Sequence, residues 1–272
     1  MKHWKWFAVN VLKLTGNVLP PTLDGLLQWS RVFRHHKTFG NYCSYVKLAC
    51  DLQGVPTEVF SRAALRRAKD AIKKRRLWLP RQPTWIKGDL VQMMLVQVLA
   101  KPELKDLVML FLASYVFLLR LPSEGLPLAV RAAPGGKEVP VFSGTEAEVR
   151  VWFPFRKNRL YPTEQTRKCW CSCCPATCPT HVLGPYMTSF ESGTQPFAHI
   201  PKGQALVALR ELLLELGVAD ALVYRTHDLR RGHAEEMRLK GGRLCDILSA
   251  GDWASKAFMS YLDRARWVAT FM

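Results

Sequence analysis

The sequence predicts an α+β protein that is mainly helical and has two domains. Its 272 residues allow one large domain or, more typically, two. Hydrophobic residues make up 49% of the chain and charged residues 22%, a globular composition that excludes a mainly disordered protein. Most apolar residues recur at helical spacing, whereas residues 139–144 and 148–155 alternate or run apolar and predict strands. We therefore expect helices with a small antiparallel β-sheet, rather than alternating strands and helices.

The first predicted domain, residues 1–80, is helical and basic. Its helices are predicted over Thr22–His35, Gly40–Gln53 and Thr57–Arg76. Thr57 follows a Gly-Val-Pro break and is a candidate N-cap for the third helix. Two prolines close together, Pro80 and Pro83, predict a linker, which we place at residues 81–88.

The second predicted domain, residues 89–272, combines further helices with the two strands. The helices are predicted over Asp89–Leu99, Pro102–Leu119, Gly203–Leu216, Asp228–Lys240, Arg243–Ser249 and Ser255–Thr270. The longest apolar run, Leu107–Leu119, has 13 residues. A membrane-spanning helix needs roughly 20, so this run predicts a buried core helix.

The charge is large and unevenly distributed. Lys and Arg number 39 against 22 Asp and Glu, and the net charge of +17 predicts an anionic partner, with nucleic acid favoured over an acidic membrane surface. Residues 1–100 contain 17 of the basic residues and 5 of the acidic ones. The densest run of basic residues is Arg62–Arg76. One interpretation is a solvated helix face. The other is a surface that binds DNA phosphates, which would relieve the repulsion between like charges four residues apart. The DNA interpretation gives these candidate contacts: Arg62, Arg66, Arg67, Lys69, Lys73, Lys74, Arg75 and Arg76.

Five of the eight cysteines lie in one segment, KCWCSCCPATCPTH, at residues 168–181. Adjacent and alternating cysteines are poor disulfide partners, so the segment indicates a reducing compartment. One interpretation is a tetrahedral zinc site, for which Cys173 and Cys174 are alternative ligands. The candidate ligands are Cys169, Cys171, Cys178 and His181. The other interpretation is a loop of reduced thiols that contacts DNA or a neighbouring subunit.

Four residues near the end of the chain stand in a suggestive order. His227 and Arg230 lie three residues apart, Trp253 follows 23 residues after Arg230, and Tyr261 follows eight residues after Trp253. In this order and spacing the sequence resembles the catalytic domain of tyrosine recombinases, the phage-integrase family. That family has an H-x-x-R motif, then a histidine or tryptophan, and then a nucleophilic tyrosine.

The family pattern also has an earlier arginine and a lysine. Arg120 ends an apolar stretch and precedes Glu124 by four residues, where the family usually has a gap of three. The lysine of the family lies on a β-hairpin, and Lys157 matches it, with Lys137 as a second candidate. Two neighbours of this lysine are further candidate DNA contacts, Arg156 and Arg159.

The resemblance covers residues 87–272. Within the family, the sequence is most similar to recombinases of eukaryotic mobile elements of the DIRS or Crypton kind. The similarity rests on four features: Trp253, the short gap to the tyrosine, the Leu-Pro-Ser-Glu motif at residues 121–124 and the cysteine-rich insert. Residues 1–80 resemble the core-binding domain of the family in general character alone.

The resemblance implies DNA strand cleavage and rejoining. The implied catalytic residues are Arg120, Lys157, His227, Arg230, Trp253 and Tyr261. The two arginines would hold the scissile phosphate. Tyr261 would attack it to leave a 3′-phosphotyrosine, Lys157 would protonate the leaving 5′ oxygen, and His227 would act on the tyrosine proton or bind the phosphate. Trp253 would donate its indole N–H and pack the site, and no metal or other cofactor is required for catalysis.

The resemblance also implies partners. We expect both domains to bind double-stranded DNA and no membrane to be involved. We also expect a homotetramer on DNA, provided that the 11 residues after Tyr261 suffice for exchange between subunits. The expected location is the nucleus of a eukaryote or otherwise the cytoplasm, without secretion. The alternatives are a decayed recombinase that acts as a DNA-binding module and, less favoured, a type IB topoisomerase.

Overall fold

The computed structural model describes residues 1–75, 83–156 and 161–253. The chain divides into two compact units, Met1–Gln82 and Pro83–Met272. The prediction of a mainly helical α+β fold is confirmed. Ser255–Thr270, predicted as a helix, lies outside the described residues.

The first unit has four α-helices within residues 1–75. They are α1 Lys2–Asn10, α2 Leu23–Ser30, α3 His36–Leu52 and α4 Ala63–Lys74. Helix α2 begins where expected, because the Thr22 hydroxyl accepts a hydrogen bond of 3.1 Å from the Gly25 N–H. Helix α1 was not predicted. It contributes Trp4, whose ring lies 5.2 Å from that of Trp29 and whose indole N–H donates to the Val18 carbonyl, so aromatic packing holds α1 on α2.

Helix α4 carries the basic run. The structure starts it later than predicted, because a 3₁₀ turn at Glu58–Ser61 follows Thr57 and Arg62 then has extended backbone. Leu65 and Ile72 are buried against the unit's core. The cations of this run that the structure describes are all exposed, and we call them the α4 surface: Arg62, Arg66, Arg67, Lys69, Lys73, Lys74 and Arg75.

The second unit has six α-helices within the described residues. They are α5 Gly88–Ala100, α6 Lys105–Val116, α7 Gly184–Thr188, α8 Lys202–Glu215, α9 His227–Leu239 and α10 Leu244–Gly251. Every side chain of α6 from Leu107 to Val116 is buried, as expected of a core helix. The helix ends before the predicted Leu119, because Leu118 has a φ of 50° and cannot continue it. None of the helices within the described ranges is long and apolar enough to span a membrane.

The sheet of the second unit is mixed, not antiparallel as predicted. Its strands are β1 Ala129–Val130, β2 Val141–Gly144, β3 Glu148–Phe153 and β4 Thr163–Lys168, in that order across the sheet. Strands β2, β3 and β4 pair antiparallel, but β1 pairs parallel to β2. Strand β1 has two residues, too few to show a period, and β4 is too polar to predict a strand. Val149, Val151 and Phe153 of β3 face the core.

Residues 83–87, part of the predicted linker, pack closely on α9. Ile86 is buried, and its N–H donates to the Asp228 carbonyl at 3.0 Å. The Thr84 hydroxyl donates to the Asp228 carboxylate at 2.5 Å. A Cβ on Gly232 would lie 1.7 Å from the Ile86 carbonyl oxygen, so glycine at this position allows the segment to reach the helix. This contact fixes α9, which carries His227 and Arg230.

Candidate functional site

Arg120 and Glu124 form an ion pair in the turn that follows α6. The chain reverses at Leu118 and then makes a π-helical turn at Leu121–Gly125. Glu124 accepts from the Arg120 N–H at 2.8 Å and from Arg120 Nη1 at 2.6 Å. The Glu124 and Gly125 N–H groups both donate to the Arg120 carbonyl. This wide turn accommodates the four-residue spacing and still returns the carboxylate to the arginine.

Arg156 joins the same carboxylate from the end of the sheet. Its Nε and Nη2 donate to the two oxygens of Glu124 at 3.2 and 2.9 Å, and its guanidinium lies 4.0 Å from the ring centre of Phe153. Only 1% of its side chain is exposed, so the structure places it in the interior, whereas the sequence suggested a DNA contact. Burial opposes ionisation of Glu124, but the bonds from Arg156 and Arg120 lower the pKa of its carboxyl overall.

Arg230 approaches Glu124 from α9. Its Nη1 lies 4.0 Å from the carboxylate and donates to the Leu118 carbonyl, and its Nη2 donates to the Gly251 carbonyl at 2.6 Å. Its guanidinium lies 4.7 Å from the ring centre of Trp253. A Cβ on Gly251 would come within 2.3 Å of that ring, so glycine is needed beside the tryptophan. We call Arg120, Arg156, Arg230 and Glu124 the arginine cluster.

His227 begins α9, one turn before Arg230. It is partly buried, and the loss of solvation together with the positive charges of Arg230 and Arg231 lowers the pKa of its imidazole to about 4. The imidazole is therefore neutral at pH 7 and able to accept a proton or a hydrogen bond. Arg120 contributes in the same direction.

The structure thus brings together four of the six predicted catalytic residues. They are Arg120, His227, Arg230 and Trp253. Lys157 and Tyr261 lie outside the described residues, as do the predicted DNA contacts Arg76 and Arg159. Lys137, the second lysine candidate, is exposed in the segment before β2.

The place of Arg156 in the arginine cluster was not predicted from the sequence. The alternation of β3 puts Val149, Val151 and Phe153 inward and would continue inward at Phe155. The chain bends at Pro154, after which Phe155 is exposed and Arg156 is buried. The proline was the available signal that the alternation would break.

The α4 surface borders a groove in the first unit. The groove has a volume of about 610 Å³ and lies between α3 and α4, where Lys47, Arg62, Arg66 and Lys69 line it. Exposed cations on one side of a helix, with apolar residues on the other, suit an extended polyanion.

The second cluster surrounds His181, and we call Cys169, Cys171, Cys178 and His181 the cysteine cluster. The His181 Nδ1 lies 3.4 Å from Cys169 Sγ, 3.1 Å from Cys171 Sγ and 3.5 Å from Cys178 Sγ. The four ligand atoms lie within 4.8 Å of one another and could hold a metal ion.

Hydrogen bonding makes the thiols of this cluster unequal. Burial opposes ionisation of Cys178, but hydrogen bonds from Thr180 and His181 lower the pKa of its thiol to about 5. The hydrogen bond with Cys178 and burial raise the pKa of Cys171 to about 12. The hydrogen bond from the Cys171 N–H lowers the pKa of the Cys169 thiol as well, so the three thiols of the cluster differ in acidity.

The other two cysteines of the segment have other partners. Cys173 Sγ lies 3.2 Å from the Trp170 carbonyl, and Lys240 Nζ lies 3.5 Å from Cys174 Sγ. The structure therefore favours the first ligand set of the sequence analysis over its alternatives.

No protein-family model matches the chain, and no curated protein matches its sequence. The relationship to tyrosine recombinases therefore stays a resemblance. The geometry of the arginine cluster is a separate observation that does not depend on it.

Proposed function

We propose that the second unit cleaves and rejoins DNA through a 3′-phosphotyrosine intermediate. The observation that carries this proposal is the convergence of Arg120 and Arg230 on Glu124, from positions 110 residues apart in the chain. Two guanidinium groups that share one carboxylate are spaced to share one phosphate as well, since each can form paired hydrogen bonds to oxyanions.

The charge of the cluster suits a phosphodiester anion. Three guanidinium groups face two carboxylates, those of Glu124 and of Asp252, whose Oδ2 lies 4.0 Å from Arg156 Nη1. The remaining positive charge is held in place by backbone carbonyls and the buried glutamate, so a transition state that gains negative charge meets a preorganised cationic site. Arg120, whose side chain is 27% exposed, gives that site a face to solvent.

The proposed chemistry assigns one proton to each side of the reaction. The Tyr261 oxygen attacks phosphorus, its proton passes to the neutral His227, and the bond from phosphorus to the 5′ oxygen breaks. Lys157 donates a proton to the leaving 5′ oxygen. Rejoining is the reverse, in which a 5′ hydroxyl attacks the phosphotyrosine, so the bond energy is conserved without a nucleotide cofactor.

A nicked suicide substrate tests this proposal. The full chain is incubated with nicked duplexes that tile the DNA on both sides of its coding sequence, and covalent adducts are separated on a denaturing gel. We expect an adduct with the wild type and with Tyr161→Phe, which changes an exposed tyrosine, and none with Tyr261→Phe. An adduct that persists in Tyr261→Phe would overturn the assigned nucleophile.

A DNA-binding module without turnover is the second candidate, and the α4 surface favours it. These cations belong to the first unit, while the arginine cluster belongs to the second. Binding without any adduct on all tiled substrates would support this candidate and reject cleavage.

A further inference from the structure

The cysteine cluster has the dimensions of a tetrahedral metal site. A tetrahedron with zinc–sulfur bonds of about 2.3 Å and a zinc–nitrogen bond of about 2.0 Å has sulfur–sulfur edges of about 3.8 Å and sulfur–nitrogen edges of about 3.5 Å. The Sγ atoms of Cys178 and Cys169 lie 3.7 Å apart. The three sulfur–nitrogen distances around His181 are 3.1, 3.4 and 3.5 Å.

Neither a disulfide nor plain thiol packing accounts for this arrangement. A disulfide needs a sulfur–sulfur distance of about 2.05 Å and would use two of the three sulfurs. All the cysteines that the structure describes are free thiols. Thiols are weak hydrogen-bond donors, so three of them around one imidazole nitrogen gain little from one another without an ion.

We propose that the cysteine cluster binds a structural Zn²⁺ through the Sγ atoms of Cys169, Cys171 and Cys178 and the Nδ1 atom of His181. Three thiolates and one imidazole are the soft ligands that zinc prefers, and they disfavour Mg²⁺ and Ca²⁺, which take oxygen ligands. Four protein ligands fill the tetrahedron and leave no position for a substrate, which is typical of structural and not catalytic zinc.

The ligands come from two separate segments, which the ion would tie together. Cys169 and Cys171 directly follow β4, whereas Cys178 and His181 flank the start of the turn that leads into α7. Of the four, Cys178 is fully buried, so the site is anchored in the unit rather than carried on a loose loop.

Strand β4 links this site to the arginine cluster. Gln165 Nε2 and Arg167 Nη2 both donate to the Ala250 carbonyl, at 2.7 and 3.0 Å, and Arg167 Nε donates to the Val116 carbonyl at 3.0 Å. Ala250 directly precedes Gly251, and Val116 lies two residues before Leu118. Gly251 and Leu118 are the two residues whose carbonyls bind Arg230. An ion at the end of β4 would therefore stabilise the backbone that positions Arg230.

Metal analysis of the purified full chain tests the proposal. We expect about one zinc per chain in the wild type and a loss of most of it in Cys171→Ser and His181→Ala. Cys173→Ser and Cys245→Ser are the matched controls, and they should retain the metal. His181→Cys should retain it as well, because a fourth thiolate can replace the imidazole. Zinc-free wild type, or equal loss in the controls, would overturn the proposed site.

Two measurements on the wild type keep the test informative where a ligand variant does not fold. Replacement by Co²⁺ should give the visible bands of a tetrahedral ion and strong sulfur-to-metal charge transfer. Chelation should speed amide hydrogen exchange in residues 163–168 and 250–253, through the bonds of β4 to Ala250. Octahedral cobalt spectra would contradict the ligand set, and unchanged exchange would contradict the link to the arginine cluster.

Discussion

The two units use arginine and lysine in opposite ways. In the first unit the cations of the α4 surface project into solvent from one helix. In the second unit Arg156 and Arg230 are almost fully buried, and with Arg120 they surround a carboxylate that is itself 5% exposed. Both groups of cations contribute to the net charge in the same way, but one group is exposed to solvent and the other is mostly buried around a carboxylate.

Exposed and buried cations suit different tasks: the first can attract a polyanion, and the second can position one phosphate. Exposed cations act over several ångströms and are screened by salt, which suits non-specific attraction to a polyanion. Buried cations keep one geometry because carbonyls and Glu124 hold them, which suits the recognition of a single phosphate. Changes to the buried group should therefore affect folding most, and changes to the exposed group should affect it least.

Loss of the Glu124 carboxylate should have the largest effect. Glu124→Gln leaves three guanidinium groups around a neutral amide, and breaking a buried ion pair costs about 3–5 kcal/mol of unfolding free energy. Urea unfolding of the full chain measures this, with Glu103→Gln as an exposed control that should change stability by less than about 0.5 kcal/mol. Equal stability of the two variants would show that the arginine cluster is not held by its glutamate.

The second-largest loss of stability is expected where Gly232 of α9 contacts the Ile86 carbonyl. Gly232→Ala forces a methyl group against the Ile86 carbonyl, and we expect a loss of about 1–3 kcal/mol from overpacking. Gly203→Ala in α8 is the matched control, since nothing lies within 4 Å of its added Cβ and alanine favours helix. Thermal unfolding of both variants separates the steric cost from helix propensity, and a Gly232→Ala variant as stable as the control would contradict this packing.

Acid should destabilise the second unit through its buried histidines. The pKa values of His227 and His233 are lowered to about 4, in both cases chiefly by burial. The unfolded chain, with imidazole pKa values near 6.5, therefore binds more protons between about pH 6.5 and 4, and stability falls as the pH falls through that window. His233→Asn should reduce the loss between pH 7 and 5 by about 1–2 kcal/mol.

The control for this pH dependence is His3→Asn, which changes an exposed residue of the first unit. Urea unfolding at several pH values should give the wild-type slope for this variant. A wild-type slope in His233→Asn as well would mean that the buried imidazole does not drive the acid sensitivity.

Substitutions on the α4 surface should have the smallest effect on folding. They should instead weaken DNA binding. Lys69→Ala combined with Lys73→Ala should change unfolding free energy by less than about 0.5 kcal/mol. The slope of log affinity against log salt for a duplex of arbitrary sequence should fall by about 1.8. Fluorescence anisotropy measures it, and the matched pair Lys105→Ala and Lys202→Ala, exposed in the second unit, should leave the slope nearly unchanged. An equal fall in both pairs would contradict the division between the units.

Much of the helical architecture could be predicted from sequence, because apolar spacing and capping residues are local. Helix α2 begins at Leu23, beside the predicted start at Thr22, and the buried run of α6 forms a core helix as expected. The predicted cap at Thr57 makes no side-chain capping bond. The parallel pairing of β1 could not be predicted, because two residues carry no period and their partners lie across the sheet. Strand β4 is polar, and long-range bonds to Val116 and Ala250 help to hold it.

The two candidate sites could also be predicted only where their residues lie close together in the sequence. A metal site at Cys169, Cys171, Cys178 and His181 was one of two interpretations of the sequence, because ligands close in sequence can meet without knowledge of the fold. The ion pair between Arg156 and Glu124 joins residues 32 apart, and it depends on a bend at Pro154 that reverses the inward face of the chain. Tertiary contacts of this kind are set by the packing of the whole unit.

The proposed role of the arginine cluster is to bind the phosphate that Tyr261 attacks. Digestion of the covalent protein–DNA adduct, followed by mass spectrometry of the nucleotide-bearing peptide, tests it most directly. We predict that the nucleotide mass maps to Tyr261 through a 3′ phosphate and that Arg230→Ala abolishes the adduct. A nucleotide on another residue, or an undiminished adduct in Arg230→Ala, would contradict the account.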